Sequence, residues 1–231
     1  MTELAPELAS RRMSPAGLAL LSVAAPLLFW LAVIVAGAAR PGYDHVARPI
    51  SDLGVGPNAA LLELTFVAYG SVTIAMAVAL RGVLPPLARA GSTLLLLSGA
   101  FTALLGLEWL AFVVGGSVPA APTRVGALSA DRGFDLVHNA FAAATFLLGG
   151  AAPLAAAVGL RRESSWRWEA YALAVCGVVA VALLPVVAVS PPGAGALERI
   201  LVVPLQVWVA VVAFRNVRAA PAVVALHARQ V

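Results

Sequence analysis

Residues 92–115 read STLLLLSGAFTALLGLEWLAFVVG, and Glu108 is the only charged side chain among them. A membrane-crossing helix needs roughly 20 apolar residues, and this run supplies them. Backbone amides in hydrocarbon must be satisfied within the segment, so the run is expected to be helical. A charge at the bilayer centre costs about 3 kcal/mol or more by insertion scales, and such residues face a bundle interior or a wet cavity. The run therefore implies a transmembrane helix with partners, one of which receives Glu108.

Five further stretches have the same character, at 17–39, 58–80, 134–160, 167–189 and 197–218. The expected fold is all-α: a polytopic bundle of six transmembrane helices, residues 17–218. A tail of residues 1–16 precedes it and a tail of residues 219–231 follows it. Composition agrees. The chain has 231 residues, 61% of them hydrophobic and only 11% charged, against roughly a quarter charged in soluble domains. The mean hydropathy is +0.95. The first apolar run follows a polar start containing Arg11 and Arg12 and is long enough to span, so it reads as a signal anchor.

All 15 basic residues are arginine, and the formal net charge is +4. They are scattered through short loops with no dense basic stripe, which argues against nucleic acid. They act instead as topology determinants. With the N-terminus cytoplasmic, the inner segments hold ten arginines: Arg11, Arg12, Arg81, Arg89, Arg161, Arg162, Arg167, Arg215, Arg218 and Arg229. The outer segments hold five, Arg40, Arg48, Arg124, Arg132 and Arg199. Both termini are therefore expected in the cytoplasm, in a multi-pass protein of a bacterial inner (plasma) membrane. The stretch from Arg161 to Trp168 reads as an interfacial belt of arginines and tryptophans. The single Cys176 permits neither a disulfide framework nor a cysteine metal cluster within one chain.

The first outer loop contains Arg48-Pro49-Ile50-Ser51-Asp52-Leu53-Gly54-Val55-Gly56-Pro57-Asn58. Ser51 and Asp52 can bond nearby backbone amides and set a turn, and Asn58 can cap the second helix. A structured turn is the plain reading. The functional reading is a re-entrant lip over an outer pocket, with Asp52 as ligand or acid.

This loop carries a resemblance. Pro41-Gly42-Tyr43 followed by Pro49-Ile50-Ser51-Asp52-Leu53-Gly54 resembles the signature of the membrane family catalogued as domain of unknown function 998 (DUF998). His138 beside Ala142 and Ala143, and Gly195-x-x-Glu198-Arg199 before the last helix, are similar to that family too. The resemblance spans about residues 20–218 and implies a six-helix membrane protein of unassigned activity. More distantly, residues 49–54 resemble a first-loop motif of the Frag1/DRAM/Sfk1 group, which implies a link to lipid handling.

The remaining polar residues cluster towards the outer ends of the spans. Asp131, Asp135, His138 and Ala142 follow i, i+4, i+7, i+11 spacing and share one helix face. The aspartates sit where the helix dipole favours negative charge. His138 is the only histidine in an expected span, and an interhelical hydrogen bond is its ordinary role. No His-x-x-x-His or cysteine pair supports zinc, so neither metal nor cofactor is expected. Glu63 and Glu108 fall in the outer third, either as packing clamps or as groups of a proton-carrying or headgroup pocket, with His138 or Arg199 as partner. Arg199 can grip a phosphate or carboxylate, or bridge to Glu63, Glu108 or Asp135.

The expected ligand set is therefore Asp52, Glu63, Glu108, Asp135, His138 and Arg199, with His138, Glu108 and Asp52 the candidates for acid–base chemistry. Membrane lipid is the expected partner, with a second copy of the chain or another membrane protein also open. An outward-facing pocket for a lipid or other small amphiphile is the leading reading. A proton-coupled carrier and a non-catalytic structural or assembly subunit are the alternatives.

Overall fold

Ser14 opens the first helix, its hydroxyl oxygen accepting the Gly17 amide at 3.0 Å just ahead of Pro15 at the first helical position. That helix, α1 (Pro15–Ala38), is followed by α2 (Ala59–Val83), α3 (Arg89–Val114), α4 (Arg132–Leu160), α5 (Arg167–Ala188) and α6 (Ala194–His227). Short 3₁₀ turns at Ile50–Gly54, Pro86–Ala88 and Ser164–Trp166 join them. The computed structural model describes residues 13–56, 59–114, 132–189 and 192–227. Asn58 and Asp131 lie outside the described residues.

Six helical segments are long and apolar enough to cross a membrane, as expected. Five helices, α1, α2, α3, α4 and α6, run beyond their expected bounds. α4 begins at Arg132, and α6 continues to His227 through most of the stretch assigned to a tail. Gly133 near the start of α4 and Pro221 within α6 do not break the helix, which runs on where hydropathy falls.

Large apolar side chains cover the outside of the bundle: Leu27, Leu28, Leu31, Leu64, Val175 and Val178 are all exposed. This is the arrangement expected where the solvent is lipid rather than water. Association then depends on close packing, and small residues supply it. A β-carbon at Gly99 would lie 3.0 Å from the Gly70 carbonyl oxygen, so α2 and α3 meet nearly backbone to backbone. A β-carbon at Gly177 would lie 3.1 Å from the Gly150 carbonyl oxygen, which brings α4 and α5 together at mid-height.

The two ends of the bundle differ. Opposite the first loop, Leu18, Met76, Leu80, Leu84, Leu160, Trp166, Leu173 and Trp208 form a buried apolar cluster. At its rim Arg215 stacks on Trp166, 3.7 Å from the ring centroid, and pairs with Glu169 at 3.3 Å. At the other end a second cluster, including Phe29, Ile50, Leu53, Leu62, Phe66 and Leu105, surrounds polar groups. That end holds the site.

Candidate binding site

The first loop folds back over its end of the bundle. Asp44 accepts the Val46 and Ala47 amides at 2.8 and 3.3 Å, and these bonds hold its carboxyl below the usual carboxylate range. The amide-binding role expected of Asp52 thus belongs to Asp44. Asp52 instead pairs with Arg48 at 2.8 Å, while Arg40 donates to the Asp52 and Val55 carbonyls. The turn itself is a short 3₁₀ helix whose Ile50, Leu53 and Gly54 are buried, so this part of the loop lies as a lip against the bundle end.

Arg199 at the start of α6 ties this loop down. Its guanidinium donates to the Gly195 carbonyl at 2.7 Å, the Arg48 carbonyl at 3.1 Å and the Tyr43 hydroxyl at 2.9 Å, and contacts His45 Nδ1 at 3.1 Å. Tyr43 donates in turn to the Pro49 carbonyl at 2.7 Å. Burial pushes the Tyr43 hydroxyl's pKa up, partly offset by the bond from Arg199. A bridge from Arg199 to Glu63, Glu108 or Asp135 was one of its two expected roles, beside gripping a phosphate or carboxylate. The fork instead meets the Arg48 carbonyl, which the Tyr43 hydroxyl also approaches at 3.2 Å, and the Gly195 carbonyl of its own helix. Gly195 makes the approach possible, since a β-carbon there would clash with the Arg48 carbonyl. Arg199→Ala is expected to speed amide hydrogen exchange at residues 43–54 by about tenfold or more, a hydrogen bond to a charged group contributing about 1.5–3 kcal/mol. Arg199→Lys should recover only part of the protection, because a single ammonium cannot span the fork's acceptors. Unchanged exchange in both variants would remove Arg199 as the tether.

Beneath the lip lies a cavity of about 620 Å³. Most of its wall is apolar, with Phe29, Phe66, Leu105, Phe146, Val202 and Leu205 among its residues. Polar groups stand at the lip end and partway down, including Ser51, Glu198, His138, Asn139, Thr102, Ser98 and Gln206. Asn139, Ala143 and Leu147 of α4 and Ala188 of α5 line the cavity and are also exposed, so it reaches the bundle surface along the α4–α5 seam.

The sequence candidates separate on this geometry. His138 lines the cavity, and its Nδ1 bonds Glu108 Oε1 behind it, with both side chains almost fully buried. Phe134 stacks on the imidazole at 5.7 Å, so the ring is held from two sides. Glu63 is 1% exposed and its carboxyl oxygens have no hydrogen-bond partner among the described residues. It sits under Gly54, where a β-carbon would strike Oε1. Asp135 is buried on the His138 face of α4, as the spacing predicted. Glu63, Glu108, Asp135, Asp52 and Arg199 surround the cavity without lining it. Among the described residues, no three His, Cys, Asp or Glu side chains are grouped to hold a metal.

Three contributors escaped the expected ligand set. Glu198 lines the cavity and accepts the Ile50 amide at 2.6 Å, which links α6 to the lip. Asn139 stands at the mouth. Gln206 accepts the Trp30 indole N–H at 2.9 Å through Oε1, and among the described residues its buried Nε2 makes no hydrogen bond of ordinary length, with the Tyr69 hydroxyl as its polar neighbour. The available signal was Gln206 itself, a lone amide inside an apolar run.

Fold and site together define a multi-pass membrane protein: a six-helix bundle with polar groups gathered under a folded loop at one end. The chain belongs to the family described as "Protein of unknown function (DUF998)", whose model matches residues 23–215. No curated protein and no solved structure matches it.

Proposed function

We propose that the protein binds a lipid or other small amphiphile, with the chain in the cavity and the polar group beneath the first-loop lip. The observation that carries this reading is a cavity of about 620 Å³ with a mainly apolar wall, a polar end and a mouth on the lipid-facing surface. Ligand pockets have this volume and this mixture of wall and sparse polar groups. A lateral mouth between α4 and α5 admits a molecule already dissolved in the bilayer. The resemblance of residues 49–54 to the Frag1/DRAM/Sfk1 loop agrees with lipid handling. The arginine distribution supports a lip on the outer side of the membrane. The carrier reading has less behind it, because a proton path would have to cross the apolar cluster around Leu80, Leu160 and Trp208.

The test is native mass spectrometry of protein released from nanodiscs. Wild type is compared with Ala142→Phe, which fills the cavity, and with Leu64→Phe on the lipid-exposed face. Wild type and Leu64→Phe should retain an amphiphile that Ala142→Phe loses. Release of bare wild-type protein, or equal retention in the filled variant, overturns the proposal.

A further inference from the structure

The cavity holds more information about its occupant than size. No arginine lines it among the described residues. The Arg199 guanidinium, at the start of α6, is engaged by the Arg48 and Gly195 carbonyls, Tyr43 and His45. Arg40 and Arg48 are likewise committed to the loop, to the Asp52 and Val55 carbonyls and to the Asp52 carboxylate. Among the described residues, an anionic headgroup entering under the lip therefore meets no arginine in the cavity wall. It finds Glu198, which uses one oxygen on the Ile50 amide, and an imidazole already backed by Glu108.

Deeper in the cavity the wall offers a donor instead. Gln206 is 7% exposed and lines the cavity, and among the described residues its Nε2 makes no hydrogen bond of ordinary length; the Tyr69 hydroxyl, which also lines the cavity, is its polar neighbour. The Trp30 N–H fixes which end of the amide is the acceptor, because an N–H can only donate to oxygen. Leaving a buried amide donor short of a well-placed acceptor costs about 1–3 kcal/mol, so Gln206 and Tyr69 together form a neutral polar step in the wall to which a bound molecule can present an oxygen.

We infer that the site selects an amphiphile whose polar group is neutral or cationic, an alcohol or an amine, and discriminates against phosphate and carboxylate headgroups. Glu198 would accept from the hydroxyl or ammonium, and Gln206 would donate to an oxygen farther along the molecule. This rests on the amphiphile-binding reading above and specifies the chemical class of its ligand.

The experiment measures displacement of a fluorescent alkyl probe from purified protein by four amphiphiles with one chain and different heads. They are hexadecylamine, hexadecanol, hexadecanoate and hexadecyl phosphate. The amine and the alcohol should bind at least about tenfold more tightly than either anion, since opposed like charges at a buried contact cost several kcal/mol. Glu198→Gln, which keeps an acceptor for the Ile50 amide, should narrow the gap between the amine and the anions by about tenfold. Equal or tighter binding of the anions overturns the charge selection while leaving amphiphile binding intact. Failure of all four to displace the probe overturns both.

Discussion

Replacing Gly106 with leucine is expected to prevent α2 and α3 from closing and to leave little folded protein. A β-carbon at residue 106 would run into the Glu63 backbone carbonyl and come within 2.7 Å of a Val67 methyl. The first of these is helix backbone, which cannot rotate away as a side chain can. The helices would have to part, and parting them opens the cluster of Leu62, Phe66 and Leu105 that walls the cavity. Overpacking of this kind typically costs about 1–3 kcal/mol, and the backbone clash puts Gly106→Leu at the upper end or beyond. Gly82→Leu is the matched control, because nothing lies within 4 Å of a β-carbon there. Size-exclusion recovery after heating in detergent reads the difference. Gly106→Leu should lose its monodisperse peak well below the wild-type temperature, and Gly82→Leu should track wild type. Coincident curves for all three proteins would show that the α2–α3 interface is not close-packed.

The second large effect concerns the Glu108–His138 pair. Both side chains are almost fully buried, and Glu108 Oε2 has no hydrogen-bond partner among the described residues, so His138 provides the one described bond to that carboxyl. Removing one member of a buried pair costs about 3–5 kcal/mol, because the other is left uncompensated. His138→Ala should therefore lower stability by an amount in that range, and Glu108→Gln by less, since an amide oxygen still faces the imidazole. The double variant should cost clearly less than the sum of the singles. A thermodynamic cycle of unfolding midpoints measures the difference. Additive effects would mean that the two groups do not depend on each other, and the backing of the imidazole by Glu108 would be lost from the description of the site.

Parts of this site were legible along the chain. The i, i+4, i+7 spacing placed Asp135 and His138 on one face, and both are buried there. Glu108 in an otherwise apolar run announced a partner, and the partner is His138. Of the two roles open to Arg199, the bridge to a carboxylate is not the contact it makes, because linear sequence offers only opposite charges as partners. The folded loop offered carbonyl oxygens, which every residue has and no composition reveals. Gln206 went unnoticed for a related reason. An amide in a membrane helix is unremarkable until its oxygen is occupied by Trp30, 176 positions away, and its nitrogen faces the cavity beside Tyr69.

What the sequence determined by itself is whatever depends on transfer from water to lipid: the helical class, the number of spanning segments and the gathering of charge towards particular helix ends. Those follow from local composition over about 20 residues, because hydrocarbon forbids unpaired backbone and penalises charge wherever the chain crosses it. Only the tertiary structure decided which charges pair, which way Arg199 points, and that α4 and α5 leave a cavity open on the lipid-facing side. Those depend on close approaches such as Gly70 to Gly99 and Gly150 to Gly177. Van der Waals packing and interhelical hydrogen bonds choose among helix arrangements that hydropathy leaves equal.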